Sequence, residues 1–267
     1  MESILNKIIN NTKDKIINYK KVYSLSDILN NIKEIKNFID FKNEIKKENT
    51  KKKVSIIAEI KKASPSAGLL VENFDPLDLA RIYVKNGAVS LSVLTEQDFF
   101  LGKLEYMKVI KSKINIPILC KDFFIDTYQV ALAKSFGADC ILIILSAIDK
   151  ILAKDLYQAA KDLNISTLVE VHSEREAEIA LSFEDSIIGI NNRNLNTLET
   201  SLNTSVKLSN ILRPHKNPLV CESGIHSVND IKFIIENAKI QNFLIGESLL
   251  KSKNISSKLR EFTQISL

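Results

Sequence analysis

Cysteine is scarce in this chain of 267 residues, and its spacing matches neither a disulfide framework nor a metal site. The three cysteines, Cys120, Cys140 and Cys221, stand singly within apolar runs and never as CxxC. Isolated cysteines in such runs are typical of buried thiols, which agrees with a reducing compartment. We therefore expect a cytoplasmic protein without structural disulfides.

Long hydrophobic runs and concentrated charge are absent as well. No apolar run approaches the roughly 20 residues that a membrane-spanning helix needs, and residues 1–11 do not form the apolar core of a signal peptide. The net charge is only +5, from 37 basic and 32 acidic residues. The lysines at 51–53 form a short run without aromatic company, so no nucleic-acid surface is indicated. We expect no membrane and no nucleic-acid partner, and a monomer.

The chain does contain a regular alternation of β-branched runs with helical patterns. Residues 1–53 show apolar positions at helical spacing, which predicts a helical extension. Beyond them the alternation is typical of a parallel sheet built from βα units. The predicted strands are 54–60, 89–94, 116–120, 140–145, 166–171, 186–190, 219–221 and 242–245.

Eight such units fit either a closed barrel or an open doubly wound sheet. The open fold usually carries a glycine-rich phosphate loop after its first strand, whereas here the first strand runs into Glu59, Lys61 and Ser64 with no GxGxxG or Walker motif. We therefore predict an α/β fold, a (β/α)₈ TIM barrel, as one domain over residues 1–267 with the helices of 1–53 as its N-terminal extension.

Charged and polar side chains stand where the predicted strands end, which is where barrel enzymes place their active sites. They are Glu59 and Lys61 on the first strand, Lys121 after the third, Glu170 on the fifth, Asn191 and Arg193 after the sixth, and Glu222 with Ser223 after the seventh. Charges beside apolar runs are costly to bury unless they are paired or used. Glu59 and Lys61 share a side of their strand because they are two residues apart. In such barrels the side chains of alternate strands lie in one layer. We therefore predict that Glu59 or Lys61, Lys121, Glu170 and Glu222, on strands one, three, five and seven, form one layer of mixed charge.

A phosphate site is predicted separately, after the last two strands. Gly224 follows the seventh strand and Gly246 the eighth, in a chain with only seven glycines. Barrels frequently bind phosphate with these loops, where glycine leaves backbone N–H groups accessible. Arg193 would add a charge-assisted contact.

Seven motifs lie at or near the predicted strand ends and span roughly residues 54–250. They are IAEIKKASPS (57–66), SVLTE (92–96), LCKDFF (119–124), LVEVH (168–172), GINNRNL (189–195), ESGI (222–225) and FLIGES (243–248). In sequence and in order these motifs closely resemble those of the indole-3-glycerol-phosphate synthase family of tryptophan biosynthesis. The N-terminal helices also resemble the extension that this family carries.

The resemblance implies an activity and roles for individual residues. The family closes an indole ring on 1-(2-carboxyphenylamino)-1-deoxyribulose 5-phosphate, releasing carbon dioxide and water, and no metal or organic cofactor is implied. Lys121 would be the general acid, and Lys61 would bind the substrate carboxylate or assist a later proton transfer. Glu170 would stabilise cationic charge and act in dehydration. Glu59 and Asn191 would orient the lysines and the substrate hydroxyl groups. Glu222 and Ser223 would complete the polar rim of the site.

The shape of that substrate suggests its binding groups. The phosphate would bind at Gly224, Gly246, Arg193 and Ser64, and the aromatic ring would lie against Phe100, Phe124 and Leu142. Ordinary core packing also explains each of these three apolar residues, and it is the favoured explanation for Leu142. Two departures from the family stand out. Lys103 replaces a common serine, and Glu247 replaces a small hydroxyl residue, so we expect its carboxylate to point away from the phosphate.

Two alternatives remain open at this point. One is another phosphate-binding barrel such as phosphoribosylanthranilate isomerase, whose reaction calls for a Cys/Asp pair at the strand ends. The other is a barrel that binds phosphate without catalysis, which would lack a proton donor or a carboxylate. His172, His215 and His226 lack metal-ligand spacing, and the sequence assigns them no catalytic role.

Overall fold

Eight parallel strands close into a barrel in the computed structural model, which describes residues 3–35, 38–51, 53–194 and 197–265. Leu195, which ends one of the motifs, lies outside these ranges, as do parts of the predicted extension. The barrel strands are β1 (Ser55–Ile60), β2 (Ser90–Leu94), β3 (Ile118–Lys121), β4 (Cys140–Ile144), β5 (Ser166–Val171), β6 (Ile187–Asn191), β7 (Leu219–Glu222) and β8 (Asn242–Ile245). Each pairs with its sequence neighbours, and β8 closes the ring on β1. The predicted fold class is confirmed.

Helices precede the barrel and alternate with its strands. Within the described ranges they are α1 (Ile4–Val22), α2 (Leu25–Glu34), α3 (Phe41–Thr50), α4 (Pro76–Lys85), α5 (Glu105–Lys111), α6 (Thr127–Ser135), α7 (Lys150–Asp162), α8 (Glu174–Ala180), α9 (Asn203–Ile211), α10 (Val228–Ala238), α11 (Glu247–Leu250) and α12 (Ile255–Thr263). Local side chains fix several starts: Asp75 caps α4, whose first residue is proline, and Ser227 caps α10. Of the helices described, none is long and apolar enough to cross a membrane.

Three strands extend one residue beyond their apolar runs. Lys121, Asn191 and Glu222 are the last residues of β3, β6 and β7, although the hydrophobic pattern predicts an end one residue earlier. The ladder continues because Leu94 pairs with Lys121 and Asn191 pairs with Glu222. These polar side chains therefore stand on the rigid barrel. A short hairpin of Ala63–Ser64 and Gly68–Leu69, which the sequence did not predict, follows β1.

The apolar core has two parts, as expected for a barrel whose strands alternate their side chains. The larger part packs the outer strand faces against the helices, and the smaller part fills the barrel. Phe41 and Ile45 of α3 belong to the inner part, together with Cys140 and Ile187. Because Cys140 and Ile187 are the first residues of β4 and β6, α3 covers the N-terminal end of the barrel.

The helix α1 lies at the opposite end. Its residues Ile4, Leu5 and Ile8 line a cavity at the C-terminal ends of the strands. It is attached to the loop after β2, where Lys15 Nζ lies 3.1 Å from Glu96 Oε1 and 2.8 Å from Asp98 Oδ2. The N-terminal extension therefore contributes to both ends of the barrel.

Candidate active site

A cavity opens at the C-terminal ends of the strands and gathers almost all of the predicted site residues. Those that line it are Glu59, Lys61, Ser64, Phe100, Lys121, Leu142, Glu170, Asn191, Arg193, Glu222, Ser223, Gly224 and Gly246. Phe124 does not line it, because its side chain is 4% exposed and belongs to the core between sheet and helices. The neighbouring Phe123 lines the cavity instead.

Lys121 is the centre of the polar wall. Its Nζ lies 3.0 Å from Glu170 Oε2 and 2.5 Å from Glu222 Oε2, so one ammonium joins β3, β5 and β7. Both carboxylates are buried, with side-chain exposures of 3% and 2%. The structure therefore brings together the side chains that the strand parity predicts to share a layer. Glu222 Oε1 is buried and has no hydrogen-bond partner among the described residues.

The charges in this layer separate the pKa values of its groups. Burial alone would lower the pKa of Lys121, but Glu170, Glu222 and Glu59 raise it well above its ordinary value. Burial likewise opposes ionisation of Glu170, yet Lys121 and His172 lower its pKa. Burial raises the pKa of Glu222 to about 8, and the charge of Glu170 adds to the effect. Of the two carboxyl groups beside the protonated lysine, Glu170 therefore stays ionised, whereas Glu222 can carry a proton near neutral pH.

Glu59 and Lys61 form a second ion pair beside this cluster. Lys61 Nζ lies 2.5 Å from Glu59 Oε1, as expected for two residues on the same side of β1. A Cβ at Gly246 would lie 2.9 Å from the Glu59 Cβ and overlap its carboxylate. Gly246 is therefore required at least for the close approach of Glu59 to the end of β8, whatever it contributes to anion binding.

The side of the cavity predicted to hold phosphate lies after β6, β7 and β8. Ser223 and Gly224 both have positive φ, 63° and 83°, in a turn that redirects the backbone into the cavity. Asn191 Oδ1 accepts from the backbone N–H of Arg193 at 3.0 Å. Ser64 Oγ accepts from the backbone N–H of Ala67 at 3.2 Å, within the hairpin loop after β1.

Glu247 does not turn away from this region as the sequence led us to expect. It lines the cavity, and its Oε2 lies 3.4 Å from Arg193 Nη2. Its Oε1 lies 2.6 Å from Lys251 Nζ one turn later in the chain. The paired positive charges explain why a carboxylate is tolerated beside a predicted anion site, and Glu247 holds the guanidinium of Arg193 in place.

The opposite wall of the cavity is apolar. The Phe100 and Phe123 ring centroids lie 6.4 Å apart, and Leu142 adds an almost fully buried side chain from β4. Phe100 is held by the buried Glu96, whose carboxylate accepts the backbone N–H groups of residues 98, 99 and 100 at 2.7 to 3.1 Å. A flat aromatic ring can lie against such a wall.

Several lining residues were not predicted from the sequence. They are Ile4, Leu5, Ile8, Asp122, Phe123, Leu198, His226 and Ser248, together with further apolar groups of the strand ends. The helical spacing of the first three signals a helix face but not the surface it covers. Within the part of the chain that the structure describes, no group of three or more His, Cys, Asp or Glu side chains is arranged to hold a metal ion.

Comparison with known proteins gives one consistent family. The family model described as indole-3-glycerol phosphate synthase matches residues 5–262. A protein of Polaromonas naphthalenivorans with that name is 40% identical over 267 residues, and the match covers 98% of each chain. Another of Carboxydothermus hydrogenoformans is 45% identical over 206 residues, covering 77% of this chain and 78% of the relative.

Solved structures of low identity share the barrel. A 3-hexulose-6-phosphate synthase is 13% identical with a TM-score of 0.60, covering 79% of this chain and 98% of that chain. A phosphoribosylanthranilate isomerase of Thermotoga maritima is 11% identical with a TM-score of 0.56, covering 78% and 96%. At such identities the likeness shows the fold alone, so it does not favour the isomerase alternative.

Proposed function

The chain belongs to the indole-3-glycerol phosphate synthase family, and we propose that it forms indole-3-glycerol phosphate from 1-(2-carboxyphenylamino)-1-deoxyribulose 5-phosphate in tryptophan biosynthesis. The observation that carries this proposal is the ammonium of Lys121 between the carboxylates of Glu170 and Glu222. The reaction needs a proton donor and nearby negative charge at the same place, and this cluster supplies both. In this proposal the enzyme is a carboxy-lyase for which the family implies neither a metal nor an organic cofactor, and we expect a monomer.

Ring closure is assigned to Lys121. The ring carbon that bears the carboxylate attacks the carbonyl carbon of the deoxyribulose, and the carbonyl oxygen takes a proton from Lys121 Nζ. Carbon dioxide then leaves from that ring carbon, and its electron pair returns to the ring. An ammonium whose pKa is raised too far would be a weak acid. Because the raised pKa of Glu222 lets it hold a proton near neutral pH, its carboxyl group then adds no negative charge beside Lys121 and raises the pKa of that lysine less than an ionised carboxylate would.

Dehydration is assigned to the remaining charged groups. Glu170 stabilises the cationic ring. In the dehydration the hydroxyl group takes up a proton and leaves as water, and the carbon between the ring nitrogen and the carbon that carried this hydroxyl loses a proton to Glu170, which forms the C=C bond of indole. Lys61 binds the substrate carboxylate or assists the proton transfer to the leaving hydroxyl group. Glu59 orients Lys61 through their 2.5 Å ion pair. Asn191, Glu222 and Ser223 face the substrate hydroxyl groups at the polar rim of the cavity.

The phosphate and the anthranilate ring of the substrate are assigned to opposite sides of the cavity. The phosphate binds at the turn of Gly224, the backbone at Gly246, the guanidinium of Arg193 and Ser64. The anthranilate ring takes the apolar wall of Phe100, Phe123 and Leu142. Phe123 replaces Phe124 in this proposal, because only Phe123 lines the cavity.

The test is to mix purified protein with the carboxyphenylamino-deoxyribulose phosphate and to follow indole fluorescence. We expect turnover, and a folded protein that gives no signal would refute the proposal. Phosphoribosylanthranilate, offered separately, distinguishes the isomerase alternative and should not be converted.

The assignment of Lys121 has its own variant. Lys121→Ala should reduce turnover by about a thousandfold or more, as expected for loss of a general acid and its electrostatic field, while substrate binding stays measurable by calorimetry. Lys154→Ala, an exposed lysine on α7, is the matched control and should keep normal activity. Near-normal turnover of Lys121→Ala would remove Lys121 from the acid role.

A further inference from the structure

His172 follows β5 directly, and its imidazole is 11% exposed beside the catalytic cluster. The Nε2 atom lies 3.3 Å from Glu170 Oε1, and the Nδ1 atom lies 3.4 Å from Glu176 Oε2. The ring therefore stands between a carboxylate of the proposed active site and a carboxylate of α8. None of the roles assigned above uses it.

Glu176 is itself held firmly by the start of α8. Its Oε2 accepts the backbone N–H of His172 at 2.8 Å, and its Oε1 accepts from Ser173 Oγ at 2.9 Å. Ser173 in turn caps the helix through the backbone N–H of Glu176. A carboxylate with this many partners is a fixed anchor for the imidazole.

Each carboxylate oxygen of Glu170 therefore faces a basic side chain. Oε2 faces Lys121 at 3.0 Å and Oε1 faces His172. Burial would lower the pKa of His172. Two charged groups face the ring, Glu170 two residues earlier on β5 and Glu176 on α8, and they raise this pKa to about 9. These two carboxylates therefore favour the imidazolium form near neutral pH. Each ring nitrogen lies at ion-pair distance from a carboxylate, although neither contact has the geometry of a hydrogen bond.

We propose that His172 is a positioning residue that holds Glu170 ionised and turned toward the reacting groups, with Glu176 anchoring the imidazole from the outside of the barrel. Lys121 contacts Oε2 of Glu170 and is shared with Glu222. Without His172, Oε1 of Glu170 would therefore have no cationic partner among the described residues. The carboxylate can then rotate or take up a proton, and the cluster loses the group assigned to the cationic ring.

This inference rests on the proposed function, and it predicts different effects on kcat and on KM. Glu170 acts on charge that develops during the reaction, so its misplacement lowers kcat more than it weakens substrate binding. A purely structural role for His172 would instead reduce the amount of folded enzyme and leave kcat per folded molecule unchanged.

The kinetic test compares His172→Gln and Glu176→Gln with the wild type. We expect kcat to fall about tenfold or more in His172→Gln, equal to about 1.4 kcal/mol, with KM within about threefold, and a smaller fall in the same direction for Glu176→Gln. His215→Gln is the matched control, because His215 is a half-buried histidine whose Nε2 lies 2.9 Å from Ser186 O near the start of β6. If the wild type turns over and His172→Gln matches it in kcat, the positioning role is refuted. If the wild type is inactive, the proposed function fails instead.

A second measurement does not depend on turnover. In enzyme labelled with ¹⁵N-histidine, the His172 signal should show an imidazolium near neutral pH, with assignment from its loss in His172→Gln. In Glu176→Gln and in Glu170→Gln the same signal should titrate at lower pH. A neutral His172 ring in the wild type, or a titration unmoved by both substitutions, overturns the inference.

Discussion

The buried carboxylate of Glu222 has room only because Gly189 on the neighbouring strand has no side chain. A Cβ at Gly189 would lie 2.6 Å from Leu168 Cδ2 and would overlap Glu222 Oε1. Both lie inside the close-packed barrel, where neighbours cannot move aside without cost. The absence of one methyl group on β6 therefore permits the partner of Lys121 on β7.

We expect Gly189→Ala to affect stability and activity together. Overpacking of a core by one carbon costs about 1 to 3 kcal/mol, and displacement of Glu222 should lower kcat at least about tenfold. Urea unfolding and the fluorescence assay measure the two effects. In a Glu222→Ala background the overlap with the carboxylate is gone, so Gly189→Ala should cost less stability there. An equal cost in both backgrounds would contradict the steric explanation.

Single residues show where sequence reasoning succeeds and where it stops. Strand parity predicted that Lys121, Glu170 and Glu222 meet, because the two-residue period is fixed as long as the ladder continues. The choice between Phe123 and Phe124 failed because both follow the last residue of β3, where that period no longer holds. Glu247 was misjudged because its partner Arg193 lies 54 residues away in sequence.

Among the elements, α3 has the most specific packing role. Phe41 and Ile45 are fully buried in the cluster that fills the barrel interior, although α3 itself is polar along most of its length. A helix with so few apolar residues gains little stability by itself, so these two contacts hold it against the N-terminal end of the barrel.

Phe41→Ala should lower the free energy of unfolding by about 3 to 5 kcal/mol, the usual cost of removing a fully buried phenylalanine. Lys47→Ala on the same helix is the control, because Lys47 is exposed and makes only a surface ion pair with Glu44; it should change stability by less than about 0.5 kcal/mol. Urea unfolding measures both. Equal stabilities of the two variants would show that α3 does not close the barrel.

The elements themselves were largely predictable from the sequence. All eight strands were predicted within two residues of their bounds, because each combines β-branched residues with local turn and cap signals. The hairpin after β1 was missed because strands of two residues carry no period. The destinations of α1 and α3 were also missed, since an apolar face indicates burial but not the partner.

At the scale of the whole molecule, the extension contributes to the site as well as to the fold. Residues of α3 pack at one end of the barrel, and Ile4, Leu5 and Ile8 line the cavity at the other. Asn11 donates to Asp98 at 3.0 Å, and Gln97 donates to the Tyr19 hydroxyl at 2.7 Å, so α1 is bound to the loop that carries Phe100. The first helix and the barrel therefore form the cavity jointly.

The same buried cluster links folding to pH for the molecule as a whole. Folding raises the pKa of His172 from 6.5 to about 9 and that of Glu222 from 4.5 to about 8. Between the two pKa values of each group, that group binds more protons in the folded chain than in the unfolded chain. The stability that His172 contributes is fully present below pH 6.5 and is lost as the pH rises through about 9. For Glu222 the stability likewise falls as the pH rises from 4.5 to about 8.

The free energy of unfolding should therefore decrease from pH 6.5 to about pH 8, the interval in which both groups contribute, at up to about 1.4 kcal/mol per pH unit for each group. Urea unfolding across that interval measures the slope. His172→Gln should flatten it, because the substitution removes one of the two groups that bind the extra protons. In His215→Gln the decrease should persist, because burial lowers the pKa of His215 and this histidine therefore binds no extra proton in the folded chain. A wild-type stability that is constant or rises over the interval would mean that the imidazole of His172 is not held in its charged form by Glu170 and Glu176.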